Sequence, residues 1–94
     1  MLLTLPFETG LGPTRVAIGD LNNDDGINDI AVSNYKSSFI SVYFMNKEVV
    51  QSSIQLPIGK HSDGIAIFDI DRDGKKDILA TSSDDNNIVI FFAK

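Results

Sequence analysis

Short apolar runs alternate with polar, glycine-bearing stretches along the whole chain. In the first half the runs cover residues 16–21, 29–33, 39–45 and about 49–56, and Val, Ile, Phe and Tyr dominate them. Gly, Asn, Asp and Ser fill the gaps, which is the punctuation of strands and turns. No window sustains a 3.6-residue period, so the pattern predicts an all-β chain; a short helix over 47–51 is the one alternative it leaves open.

The runs come in two sets. Val16, Ala17 and Ile18 fall on Ile65, Ala66 and Ile67 at an offset of 49, and from Gly26 onward the match continues without a gap at an offset of 48. Asp29 and Ile30 then meet Asp77 and Ile78, Ile40 meets Ile88, and Tyr43 and Phe44 meet Phe91 and Phe92. The first repeat therefore carries one extra residue between Asp20 and Gly26. The likeness reaches backward as well, with "LTLPFETGLG" resembling "IQLPIGKHSDG" and Pro6 falling on Pro57. Residues 16–64 form one repeat, 65–94 a second that lacks its outer strand, and 1–15 an outer strand and linker for another unit.

Several runs are apolar without alternation, such as 65–68, 78–80 and 88–92. A sheet with one wet face alternates, whereas a continuous apolar run means cover on both faces. A two-sheet sandwich leaves an outer face bare on each sheet. Small four-stranded sheets stacked around an axis fit better, so two β-propeller blades per chain are expected.

Eight of the thirteen acidic residues lie in two knots: Asp20, Asp24, Asp25 and Asp29, then Asp69, Asp71, Asp73 and Asp77. In the second knot three aspartates alternate, Gly74 follows and Asp77 closes. Left alone, such carboxylates repel; a hard divalent cation, which takes six to eight oxygens, removes the penalty. No Cys is present and no His is near, which favours Ca²⁺ over zinc or copper. An EF-hand is excluded, because loop position twelve counted from Asp69 is Ala80 and the flanks read as strands. The ordinary alternative is that Asp, Asn and Gly simply make solvated turns.

The Asp-x-Asp/Asn-x-Asp-Gly-x-x-Asp loop between two short apolar strands resembles the FG-GAP or VCBS repeat of integrin-α-like propellers, bacterial surface proteins and some fungal lectins. The likeness covers nearly the whole chain as two units. It implies Asp69, Asp71, Asp73 and Asp77 as side-chain ligands with the Lys75 carbonyl, and Asp20, Asn22, Asp24 and Asp29 with the Ile27 carbonyl in the first loop. Two Ca²⁺ per chain follow. The extra residue leaves Asp24 and Asp25 both open as the ion-facing position, and Phe68 stands where the family places a glycine, which Gly19 keeps. The expected role of the ion is structural, because a calcium held inside a hairpin has few open positions for chemistry.

A net charge of −5 argues against nucleic acid. The opening "MLLTLPFETG" has no basic segment and too short an apolar run for a signal peptide or a membrane span. Two blades cannot close a ring, so a homo-oligomer is expected: a trimer for six blades or a tetramer for eight, with residues 2–7 of one copy supplying the missing outer strand of its neighbour. An excised or designed propeller fragment fits the same facts. The single histidine, His61, lies between Lys60 and Ser62, too close in sequence to Ser62 and Asp63 to build a triad, and no catalytic constellation is expected. The class expected is an extracellular or cell-surface binding or adhesion module for a glycan or a protein. Tyr35, whose counterpart is Ser83, is the candidate aromatic for a sugar or else a packing residue at a strand end. The alternative class is a non-catalytic part of a polysaccharide-degrading enzyme.

Overall fold

Each repeat read from the sequence is built as one antiparallel sheet. The computed structural model describes residue 2, residues 4–22 and residues 26–93. The first sheet is a meander of β1 (Pro13–Gly19), β2 (Asp29–Asn34), β3 (Phe39–Asn46) and β4 (Val49–Pro57). The second contains β5 (Ile65–Phe68), β6 (Asp77–Ser82) and β7 (Asn87–Phe91). No helix occurs among the described residues.

The helix left open over 47–51 is a turn. Asn46 pairs with Val49, and Lys47 between them adopts φ 58°. A left-handed residue in a two-residue connection reverses the chain at once and leaves no room for a helical turn. Strands also run past the expected limits: β1 begins at Pro13, because Pro13 already pairs with Asn34, and β4 continues to Pro57, opposite Phe39. Residue 2 and residues 4–9 belong to no strand of their own chain. They lead across the first sheet instead, where the Phe7 ring tilts against Tyr43 at 4.8 Å and the Tyr43 hydroxyl donates to the Glu8 carbonyl (2.6 Å).

The register decides which face of each sheet is buried. Ala31 pairs with Val42, and Ser33 with Ile40, so Ala31, Ile40 and Val42 share a face. That face packs on Ile78 and Ala80 of β6, with Ile65, Ile67, Val89 and Phe91 around them. Ile58, just beyond β4, seals the same core. Ile40 and Val42 are buried almost completely, and each such side chain contributes roughly 1.5–3 kcal/mol of apolar burial.

The opposite faces are covered only in part: on the first sheet Val32 and Tyr43 are buried under the segment that holds Phe7, and the rest is exposed. Val16 and Ile18 project from β1, Phe68 from β5, and Ile88 and Ile90 from β7, all exposed. The continuous apolar runs thus supply two faces per sheet; the chain covers one of each pair and, through the segment at Phe7, part of the other on the first sheet.

Candidate calcium loops and a loop-end aromatic cluster

The acidic knots are the β1–β2 and β5–β6 connections, at the same end of the two sheets. In the second loop Asp69 organises the turn: one carboxylate oxygen accepts from the Asp73 N–H (3.2 Å), the other from the Gly74 N–H (2.9 Å). Asp73 accepts in turn from the Lys75 N–H (2.9 Å). Gly74 at φ 88° and Arg72 at φ 61° turn the backbone so that its amides point inward. The first loop repeats the start of this arrangement. Asp20 accepts from the Gly26 N–H (3.0 Å), and Gly26 has φ 70°.

The closing aspartates behave differently from the rest. Asp29 and Asp77 are fully buried, and each uses both oxygens on backbone amides. Asp77 accepts from Ile70 in the loop (3.0 Å) and from Ala93 beyond β7 (2.9 Å). Asp29 accepts from Leu21 (3.0 Å) and from Met45 on β3 (2.8 Å). Ile70 and Leu21, like Ala93 and Met45, are counterparts in the repeat. A carboxylate oxygen has two lone pairs, so these bonds leave acceptor capacity toward the loop interior.

Asp69, Asp71 and Asp77 each place one carboxylate oxygen within 4.8 Å of the others. Two oxygens on one calcium lie at most about 5 Å apart, given Ca–O distances of 2.3–2.6 Å. The three therefore fit the shell of a single ion, and an all-oxygen set is the chemistry a hard cation takes. Asp71 and Lys75 lie exposed on the loop, with the Lys75 amide turned to Asp73. In the first loop Asn22 is exposed and Ile27 half-buried, while Asp24 and Asp25 lie outside the described residues.

Tyr35 sits at the other end of the sheets, in the turn after β2. Its ring tilts over His61 with centroids 4.6 Å apart, and His61 Nδ1 pairs with Asp84 at 2.5 Å. Sequence reading missed this cluster because its members lie 26 and 23 residues apart. The one signal was positional, since Tyr35, His61 and Asp84 each fall in a gap between strands. Ser62 turns inward, fully buried, and its hydroxyl meets no hydrogen-bond partner among the described residues. It does not join His61 and Asp63 as a triad would require.

Among the described residues no helix is long and apolar enough to cross a membrane. Residues 23–80, more than half of the chain, match the FG-GAP-like repeat. No curated protein and no solved structure matches the chain.

Proposed function

The chain belongs to the FG-GAP-like repeat family, and from that premise we propose that it is a calcium-stabilised β-propeller module with a binding or adhesion role and no catalytic one. The observation that carries the calcium reading is the convergence of Asp69, Asp71 and Asp77 within 4.8 Å at the mouth of one hairpin. Three like charges this close oppose folding, and an ion bound only by the folded loop reverses the sign of that contribution. Asp73 and the Lys75 carbonyl complete the set. Asp20, Asn22, Asp24 or Asp25, Asp29 and the Ile27 carbonyl hold a second ion in the first loop. The ion fixes the hairpin and takes no part in a reaction.

The two sheets act as blades, and copies of the chain close them into a ring of three or four subunits. Loops of this kind suit the calcium levels found outside cells, which favours an extracellular or cell-surface protein. The ligand is a glycan or another extracellular protein. The exposed Tyr35 ring beside His61 and Asp84 favours the glycan, because an aromatic face next to polar groups is what a sugar ring needs. One such site per subunit gains avidity around a ring.

Thermal melting and mass in solution, measured with Ca²⁺ and again with excess chelator, test the calcium reading. The ion raises the melting temperature; at a hundredfold excess over Kd the gain is about 2.7 kcal/mol. Melting that ignores the chelator reduces the loops to ordinary turns. A glycan array with a Tyr35→Ala control tests the ligand class: retained glycans that disappear with the ring support it, and an array silent in both directs the search to proteins.

A further inference from the structure

The interface between the two sheets has both of its halves duplicated on the outside of the chain. The first sheet contributes Ala31, Ile40 and Val42 to the core, and their repeat counterparts are Leu79, Ile88 and Ile90, on the outward side of the second sheet. The second sheet contributes Ile65, Ile67 and Ile78, whose counterparts Val16, Ile18 and Ile30 lie on the outward side of the first. Ile88 and Val16, at 64% and 61% exposure, are the uncovered forms of Ile40, fully buried, and Ile65, half-buried against the same core. The chain thus ends in two different apolar faces, each complementary to the other by the same packing that joins its own sheets.

We propose that the outer face of the second sheet, together with the open edge of β7, is the docking surface for a second copy of this chain. The copy presents its Val16 and Ile18 face to Leu79, Ile88 and Ile90, and lays its residues 4–6 along β7. The proposal rests on the ring closure given above and assigns its interface and register. Inside the chain, β4 pairs with β3 so that Leu56 faces Ile40 and Gln55 faces Ser41. The likeness of "TLP" at 4–6 to "QLP" at 55–57 carries this register over, with Leu5 opposite Ile88 and Thr4 opposite Val89. β7 is an edge strand, and an apolar edge left unpaired is a template for exactly one more strand.

The N-terminal segment is already set for that path. Phe7 is the counterpart of Ile58, the residue that seals the core where the chain passes from the first sheet toward the second. Phe7 rests on Tyr43 of the outward face, and Leu5 and Pro6 rim an open cleft beside Val16 and Ile30 on the side where the neighbour's β7 arrives. The two faces differ, so the contact is head-to-tail, and repetition gives a closed ring or an open filament and never a two-fold dimer. The interface positions depart from strict repetition at Leu79, which stands for Ala31, and at Phe68. Phe68 stands where Gly19 permits close approach, so the inner strands of neighbouring copies are spaced more widely than β1 and β5 are within one chain.

The chain has no cysteine, which makes engineered pairs unambiguous reporters. The double variant Leu5→Cys with Ile88→Cys, oxidised with Ca²⁺ present, is expected to form disulfide-linked multimers that disperse on reduction. Leu5→Cys with Val89→Cys places the two thiols on opposite faces and stays unlinked. Ile90→Asp dissociates the wild-type assembly into monomers that retain their calcium-dependent melting. A wild-type chain that sediments as a monomer at every concentration overturns the proposal, as does equal linkage of both cysteine pairs. An assembly that forms and links in register, yet ignores chelator, overturns the calcium reading and leaves this interface standing.

Discussion

Gly19 and Ile67 touch across the two sheets so closely that a Cβ on Gly19 would lie 2.6 Å from the Ile67 Cγ2. Real Cβ atoms do not tolerate that separation, so the glycine is a packing requirement here and not a turn requirement. Gly19→Ala should destabilise the chain by about 1–3 kcal/mol, the usual cost of overpacking a filled core. Urea unfolding measures it. In a double-mutant cycle with Ile67→Ala the two effects should couple favourably, because the second change removes the atoms that the first would strike. Strict additivity would show that the sheets part freely at this corner.

Asp77 supplies the next expectation. Asp77→Ala leaves the half-buried amides of Ile70 and Ala93 without acceptors, each toward the low end of about 1–3 kcal/mol, so a loss of roughly 2–4 kcal/mol is expected in chelator. Asp29→Ala should cost a similar amount through Leu21 and Met45. Because the loss is measured without calcium, it reports the amide bonds less the repulsion that Asp77 exerts on Asp69 and Asp71, with no contribution from the ion. A loss under about 0.5 kcal/mol, typical of a surface site, would refute the assignment.

Asp71 separates ion binding from folding. It is exposed on the loop, and its repeat counterpart in the first loop is Asn22. Asp71→Ala should leave melting in chelator unchanged or slightly raised, by less than about 0.5 kcal/mol as one exposed member of the repelling group is lost, while removing most of the increment that Ca²⁺ adds to the second loop. Calorimetric titration with Ca²⁺ gives the direct reading: one class of site should weaken. Unaltered binding would place the ion away from this loop.

Lys47 holds φ 58° in the β3–β4 turn, a conformation that costs an ordinary L-residue about 1–2 kcal/mol. Lys47→Gly relieves that strain and gives back about 0.5–1 kcal/mol through the greater freedom of glycine when unfolded. A net gain of about 0.5 kcal/mol is expected in thermal or urea unfolding, and Lys47→Val should lose stability at the same site. A glycine that destabilises would mean the lysine side chain makes a contact worth more than the strain.

Much of the fold was legible because the repeat keeps residue types at matched positions. Ile40 with Ile88 and Asp29 with Asp77 locate the strands and the loops before any geometry is known. The ends were less legible. β1 starts among Pro13, Thr14 and Arg15, where polarity suggests loop but backbone pairing with β2 continues, with a register shift between Pro13 and Arg15. Lys47 and Glu48 are good helix formers, and nothing in their chemistry announces a left-handed turn; the pairing of Asn46 with Val49 imposes it.

In the candidate site, spacing alone treats all four aspartates of the second loop alike. Burial distinguishes them, since Asp77 is anchored by two amides from separate elements while Asp71 faces solvent. One of those amides belongs to Ala93, too far along the chain for any loop motif to include it. His61 illustrates the same limit. Its sequence neighbours Ser62 and Asp63 suggest one pairing, but the chain passes from one sheet to the other there and brings Asp84 to the imidazole.

The Asp77 carboxylate joins the second loop to the strand end that follows β7 through a single side chain. Whatever draws that carboxylate inward or releases it is felt two strands away without passing through the core. Amide exchange at Ala93 is accordingly a one-residue gauge of the loop, slow while the carboxylate stays seated and fast once it lets go.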